Sequence, residues 1–129
     1  MNLQEIFYEQ GFFFEVPYTM RKKLNSISLP KYYTINFLFF GQSFKYSKKV
    51  DNTFYFSLNK KLTSNSEKHL RITCNGKSFV LTFTNYIKTL LNLEESKGYL
   101  YLRFIDDNIE ISIDKPNECV SYNVWKGVY

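Results

Sequence analysis

Residues 78–113 read SFVLTFTNYIKTLLNLEESKGYLYLRFIDDNIEISI, and two periodicities alternate within them. SFVLTF (78–83), YLYLRF (99–104) and IEISI (109–113) have a period of two and are rich in aromatic and β-branched residues, which suits pleated strands. After the first strand Thr84 suits a helix N-cap, and Ile87, Leu90 and Leu91 recur on one helical face before Gly98. Asp106-Asp107-Asn108 suits the turn between the last two strands. The stretch predicts strand, helix, strand, turn, strand.

The same alternation recurs in FFFEV (12–16), TINFLFF (34–40), SFKYS (43–47), TFYFSL (53–58) and HLRIT (69–73). Asn75-Gly76 suits a tight hairpin and Gly41 punctuates another pair. Pro17 can open a second short helix, with Met20 and Leu24 on one face. At a constant offset of 67 residues, Met20 then meets Ile87, Leu24 meets Leu91, Ile35 meets Leu102 and Phe37 meets Phe104. These eight residues are the expected paired core positions. The echo implies an internal pseudo-twofold repeat, with units at about 11–47 and 78–114 and an insertion at 48–77. Residues 1–129 are therefore read as one mainly β domain, a seven- to eight-stranded open pseudobarrel capped by two short helices.

Composition agrees with a folded chain. Thirteen Phe, 11 Tyr and one Trp among 129 residues supply enough apolar surface to offset the entropy of ordering. No apolar run approaches the roughly 18–20 residues of a membrane span, and the N-terminal MNLQEIFYEQ lacks a basic secretory start, so an intracellular protein is expected. Cys74 and Cys119 show no metal-ligand spacing and read as free thiols. The Asn, Lys, Ile, Tyr and Phe bias resembles AT-rich coding, as in bacteria, phages or parasites. Charge is asymmetric: residues 1–80 carry twelve Lys or Arg against five Asp or Glu, and residues 81–129 carry five against seven. A basic footprint for a polyanion fits the first part, as does an ordinary solvated surface.

The pattern of residues 78–113 resembles the C-terminal half of the plant B-three DNA-binding domain. FFFEVPYTMRKKL and YTINFLFFGQSFKYS resemble its early strand, Pro, helix, strand, Gly turn, strand segment, with Val16-Pro17 at its Ile-Pro. Related pseudobarrels are recognition domains of some type II restriction endonucleases. The family's Gly-Trp at the second helix is replaced here by Phe83-Thr84. The resemblance implies major-groove binding by two loop arms, the first shortened and the second enlarged to residues 48–77.

The residues point to the same segment. Lys48, Lys49, Lys60, Lys61, Lys68, Arg71 and Lys77 can neutralise phosphate, while Asn65 and Ser66 can reach phosphate or base edges. Arg21, Lys22 and Lys23 add a second cationic run. Tyr and Phe are needed mostly for the core, with Tyr32, Tyr33 and Tyr55 the aromatics to check for exposure. The single histidine, His69, reads as structural within a strand. Glu94-Glu95 and Asp106-Asp107 fall in turns without a companion base, metal ligand or phosphate loop, so no catalytic site, metal or cofactor is expected. The sequence thus predicts a non-catalytic, sequence-specific double-stranded-DNA-binding protein. The alternative is a small protein-binding module or inhibitor of phage or bacterial origin.

Overall fold

Alternating apolar and polar residues form strands throughout the described parts of the chain. The computed structural model describes residues 11–19, 26–29, 43–59, 68–75, 78–93, 97–105 and 108–125. The strands are β1 (Phe13–Thr19), β2 (Ser26–Ser28), β3 (Ser43–Val50), β4 (Thr53–Asn59), β5 (His69–Asn75), β6 (Ser78–Thr82), β7 (Lys97–Ile105), β8 (Asn108–Ser112) and β9 (Cys119–Val120). Two short helices, α1 (Asn85–Leu90) and α2 (Tyr122–Trp125), complete the described elements. The strands form one sheet in the order β2-β6-β5-β3-β4-β8-β7-β1-β9, curled into an open half-barrel. Every neighbouring pair is antiparallel except β1 and β9, which run parallel. β1 and β2 approach each other without sharing a hydrogen-bonded ladder.

The fold is the expected mainly β open barrel, with nine strands where seven to eight were predicted. The additional strands β2 and β9 have three and two residues, too few to display a period. The expected strand at 34–40 lies outside the described residues. β5 and β6 pair with Asn75 opposite Ser78, and β7 and β8 with Ile105 opposite Asn108, while Gly76 and 106–107 lie outside the described residues.

Segment 48–77, read as an insertion, contributes to the middle of the sheet. β4 is the fifth of nine strands, and its Phe54 and Phe56 are buried alongside Leu70 and Ile72 of β5. One face of the sheet carries the core: Phe14, Val16, Phe44, Phe54, Phe56, Leu70, Ile72, Leu81, Leu100, Leu102, Phe104, Ile109 and Ile111, packed with Ile87, Leu91 and Leu93 around α1 and with Trp125 of α2. Full burial of each large apolar side chain contributes about 1.5–3 kcal/mol. Ile87, Leu91, Leu102 and Phe104 are thus buried as expected, while Met20, Leu24, Ile35 and Phe37 lie outside the described residues.

α1 begins where the sequence indicates. The Thr84 hydroxyl accepts the Ile87 N–H at 3.2 Å, satisfying a donor of the first turn. It ends at Asn92, in the left-handed region at φ 58°, where Asn92 N–H donates to the Thr89 carbonyl and Leu93 N–H to that of Lys88. These paired bonds satisfy the last carbonyls of the helix, and asparagine tolerates the conformation better than most side chains.

Pro17 corrects an expectation. It does not open a helix; it lies within β1 opposite Tyr99. β9 pairs only with Phe13 and Phe14, so at Pro17 β1 is a described sheet edge, where a missing N–H costs no ladder bond. The second helix described lies at Tyr122–Trp125, while Met20 and Leu24 of the expected one lie outside the described residues. The two expected repeat units therefore differ where both are described: Pro17–Thr19 continue a strand, whereas Thr84–Tyr86 cap and open α1. Gly98 has a separate purpose. A Cβ there would come within 3.2 Å of the Tyr18 hydroxyl, so glycine lets the Tyr18 ring lie against β7.

Candidate nucleic-acid interface

The face of the sheet turned away from the core carries Lys45, Lys48, Arg71, Arg103 and Glu110. β3 determines which lysines reach it through a bulge between Tyr46 and Lys48. Tyr46 opposes Phe56 and Lys48 opposes Tyr55, leaving Ser47 as the extra residue. Lys48 therefore shares the outward face with Lys45, while Lys49 opposes Phe54 on the core side and remains exposed at its rim. Across the β3–β5 ladder Ser43 opposes Arg71 and Lys45 opposes His69. Exposed Lys45 and Arg71 are therefore diagonal neighbours on one face, a spacing within reach of long side chains. Ser43 and His69 are buried beside them, in keeping with a structural histidine.

Further along this face the charges are paired. Arg103 on β7 and Glu110 on β8 are directly opposed, and Arg103 donates from Nε to Oε2 at 2.7 Å and from Nη2 to Oε1 at 3.0 Å. Nη1 donates to the Gly11 carbonyl at 3.2 Å, and the guanidinium lies 4.4 Å from the Phe13 ring centroid. Glu110 is only 5 % exposed, so its bidentate partner offsets the desolvation of the carboxylate. Tyr55 stands directly opposite Glu110 on β4, with its phenol near the same carboxylate. Burial, and then the negative Glu110, raise the Tyr55 phenol above its ordinary pKa. Lys48 Nζ stands 5.2 Å from the Tyr55 ring centroid. The ladder thus runs Lys48, Tyr55, Glu110, Arg103 across β3, β4, β8 and β7, with Arg103 also over the Phe13 ring of β1.

The C-terminal segment closes the far end. Trp125 Nε1 donates to the Glu15 carbonyl at 2.8 Å, and the Tyr122 N–H donates to Glu15 Oε1 at 3.1 Å. Tyr101 donates its hydroxyl to Glu15 Oε2 at 3.3 Å; burial, and then Glu15, push its phenol up to about 12. Cys119 has a free thiol pushed up to about 11, first by burial and then by Glu15, which makes it a poor nucleophile.

Of the cations singled out from sequence, Lys48, Lys49, Lys68 and Arg71 are described and exposed. Lys48 and Arg71 share the outward face, whereas Lys49 lies over Phe54 and Lys68 over Tyr86 of α1, with Nζ 5.2 and 5.8 Å from the ring centroids. Arg21, Lys22, Lys23, Lys60, Lys61, Asn65, Ser66 and Lys77 lie outside the described residues, as do Tyr32, Tyr33 and the Cys74 side chain. Tyr55 is half-buried. Lys45 was missed; its position between Phe44 and Tyr46 in an alternating run is the signal that it faces away from the core. Among the described residues no helix is long and apolar enough to cross a membrane. Comparisons with family models, characterised proteins and solved structures find no significant match.

Proposed function

We propose that the protein binds double-stranded DNA without catalysing a reaction on it. The observation carrying this reading is the placement of Lys45, Lys48 and Arg71 on one outward face of the adjacent strands β3 and β5. Cations gathered on one face raise its positive potential and draw a polyanion to it. Lysine and arginine there neutralise phosphates and release counterions, which supplies affinity for any sequence. Sequence preference comes from base edges, with Asn65 and Ser66, alongside Lys60 and Lys61, as the residues of suitable chemistry. The pattern resemblance to the B-three domain supports the same ligand class.

A mobility-shift titration on random and genomic duplexes at two salt concentrations tests the reading. Lys45→Ala, Lys48→Ala and Arg71→Ala should each weaken binding similarly across sequences and reduce the salt slope by about one. Absence of duplex binding by the wild-type protein at low salt rejects the reading. A salt-insensitive protein complex found instead would favour a protein-binding module.

A further inference from the structure

We propose that Tyr55 is a positioning residue for Lys48, orienting that lysine toward DNA phosphate, with the Arg103–Glu110 pair holding Tyr55 in place. This rests on the duplex-binding reading, and it explains why the cationic and paired ends of the face are joined. Lys48 is exposed and has a flexible stem, so a phosphate contact must order several rotatable bonds. The Tyr55 ring restricts that freedom in advance, because Lys48 Nζ lies 5.2 Å from its centroid. An ammonium has three donors, so one side can face the ring while another meets a phosphate oxygen.

The ring is itself restrained. It stands directly opposite Glu110, and both oxygens of that carboxylate are held by Arg103 at 2.7 and 3.0 Å. Arg103 is braced in turn by the Gly11 carbonyl and the Phe13 ring. The links from Lys48 through Tyr55 and Glu110 to Arg103 join directly opposed residues of neighbouring strands, so the ladder register maintains the alignment. Lys49 also lies over a ring, but Phe54 belongs to the core side, opposite Ile111 rather than the Glu110 carboxylate. The arrangement distinguishes two adjacent lysines that are equivalent in sequence.

Two measurements on the full chain test the proposal. In proton NMR without DNA, the Lys48 ε-methylene signals should be shifted upfield by the Tyr55 ring; Tyr55→Leu should abolish the shift and Tyr55→Phe should retain part of it. In duplex titrations, Tyr55→Leu should weaken binding about two- to fivefold in the wild-type background. In a Lys48→Ala background the same change should cost less than about 1.5-fold, because its effect passes through the missing lysine. Tyr55→Phe should recover most of the affinity, which guards against a loss caused by unfolding. Equal losses in both backgrounds would make Tyr55 a direct DNA contact and overturn the proposal. So would no loss at all, or an absent ring-current shift. A wild-type protein that binds no duplex removes the parent reading and this one together, whereas wild-type binding sensitive to Lys48→Ala but not Tyr55→Leu removes this one alone.

Discussion

Arg103 and Glu110 face outward from one sheet that also carries Lys45 and Arg71, yet the two pairs are opposite kinds of neighbour. On β7 and β8 a cation and an anion are directly opposed, one is buried, and two hydrogen bonds join them. On β3 and β5 two cations are diagonal to each other and exposed. The first pair orders the sheet. The second concentrates positive charge on one exposed face. Charge count alone hides this difference.

The comparison breaks most sharply at Glu110. Glu110→Gln leaves Arg103 without its carboxylate and should destabilise the protein by about 2–3 kcal/mol, read from the urea midpoint at an unchanged slope. If the midpoint barely moves, the pair is not structural and the contrast fails.

Alkaline titration sharpens the same contrast at the paired end. The folded-state pKa of Tyr101 is raised from 10.0 to about 12, so folding favours its protonated form. Its contribution is complete below about 10, where both states are protonated, and is lost as pH rises through about 12. Tyr55 shifts in the same direction. Stability should therefore fall across that window, and Tyr101→Phe should flatten the decline in a series of urea midpoints. The smallest effect belongs to the cationic end: Lys45→Ala should leave stability within about 0.5 kcal/mol of wild type, and any gain should fade with added salt.

Much of the fold was legible because period-two runs and capping chemistry act locally. The Thr84 cap and the antiparallel pairs β5–β6 and β7–β8 are found where side-chain type suggests. Pro17 misled because proline favours both a helix start and an edge strand, and only the sheet order distinguishes them. β9 and α2 are held by tertiary contacts: Trp125 meets Phe14 and Glu15, and Phe13 N–H donates to the Glu118 carbonyl. Such short elements have no period of their own to read. For the candidate site, Lys48 and Arg71 were visible as cations, but their shared face was not, since it depends on cross-strand register. Lys45 was overlooked because an isolated lysine in a strand run resembles any solvent-facing residue.

Ser47 places a shift of parity in β3. A strand assigns its side chains by odd and even position, so the extra residue exchanges the two classes for everything after it. Drawing Ser47 into the ladder opposite Tyr55 would bring Lys48 opposite Phe54 and Lys49 opposite Thr53, moving positive charge from one side of the sheet to the other, whereas deleting Ser47 would leave Lys48 opposite Tyr55. Where this protein carries its charge is thus written partly in which residue is left out of the ladder, a kind of information that composition does not contain.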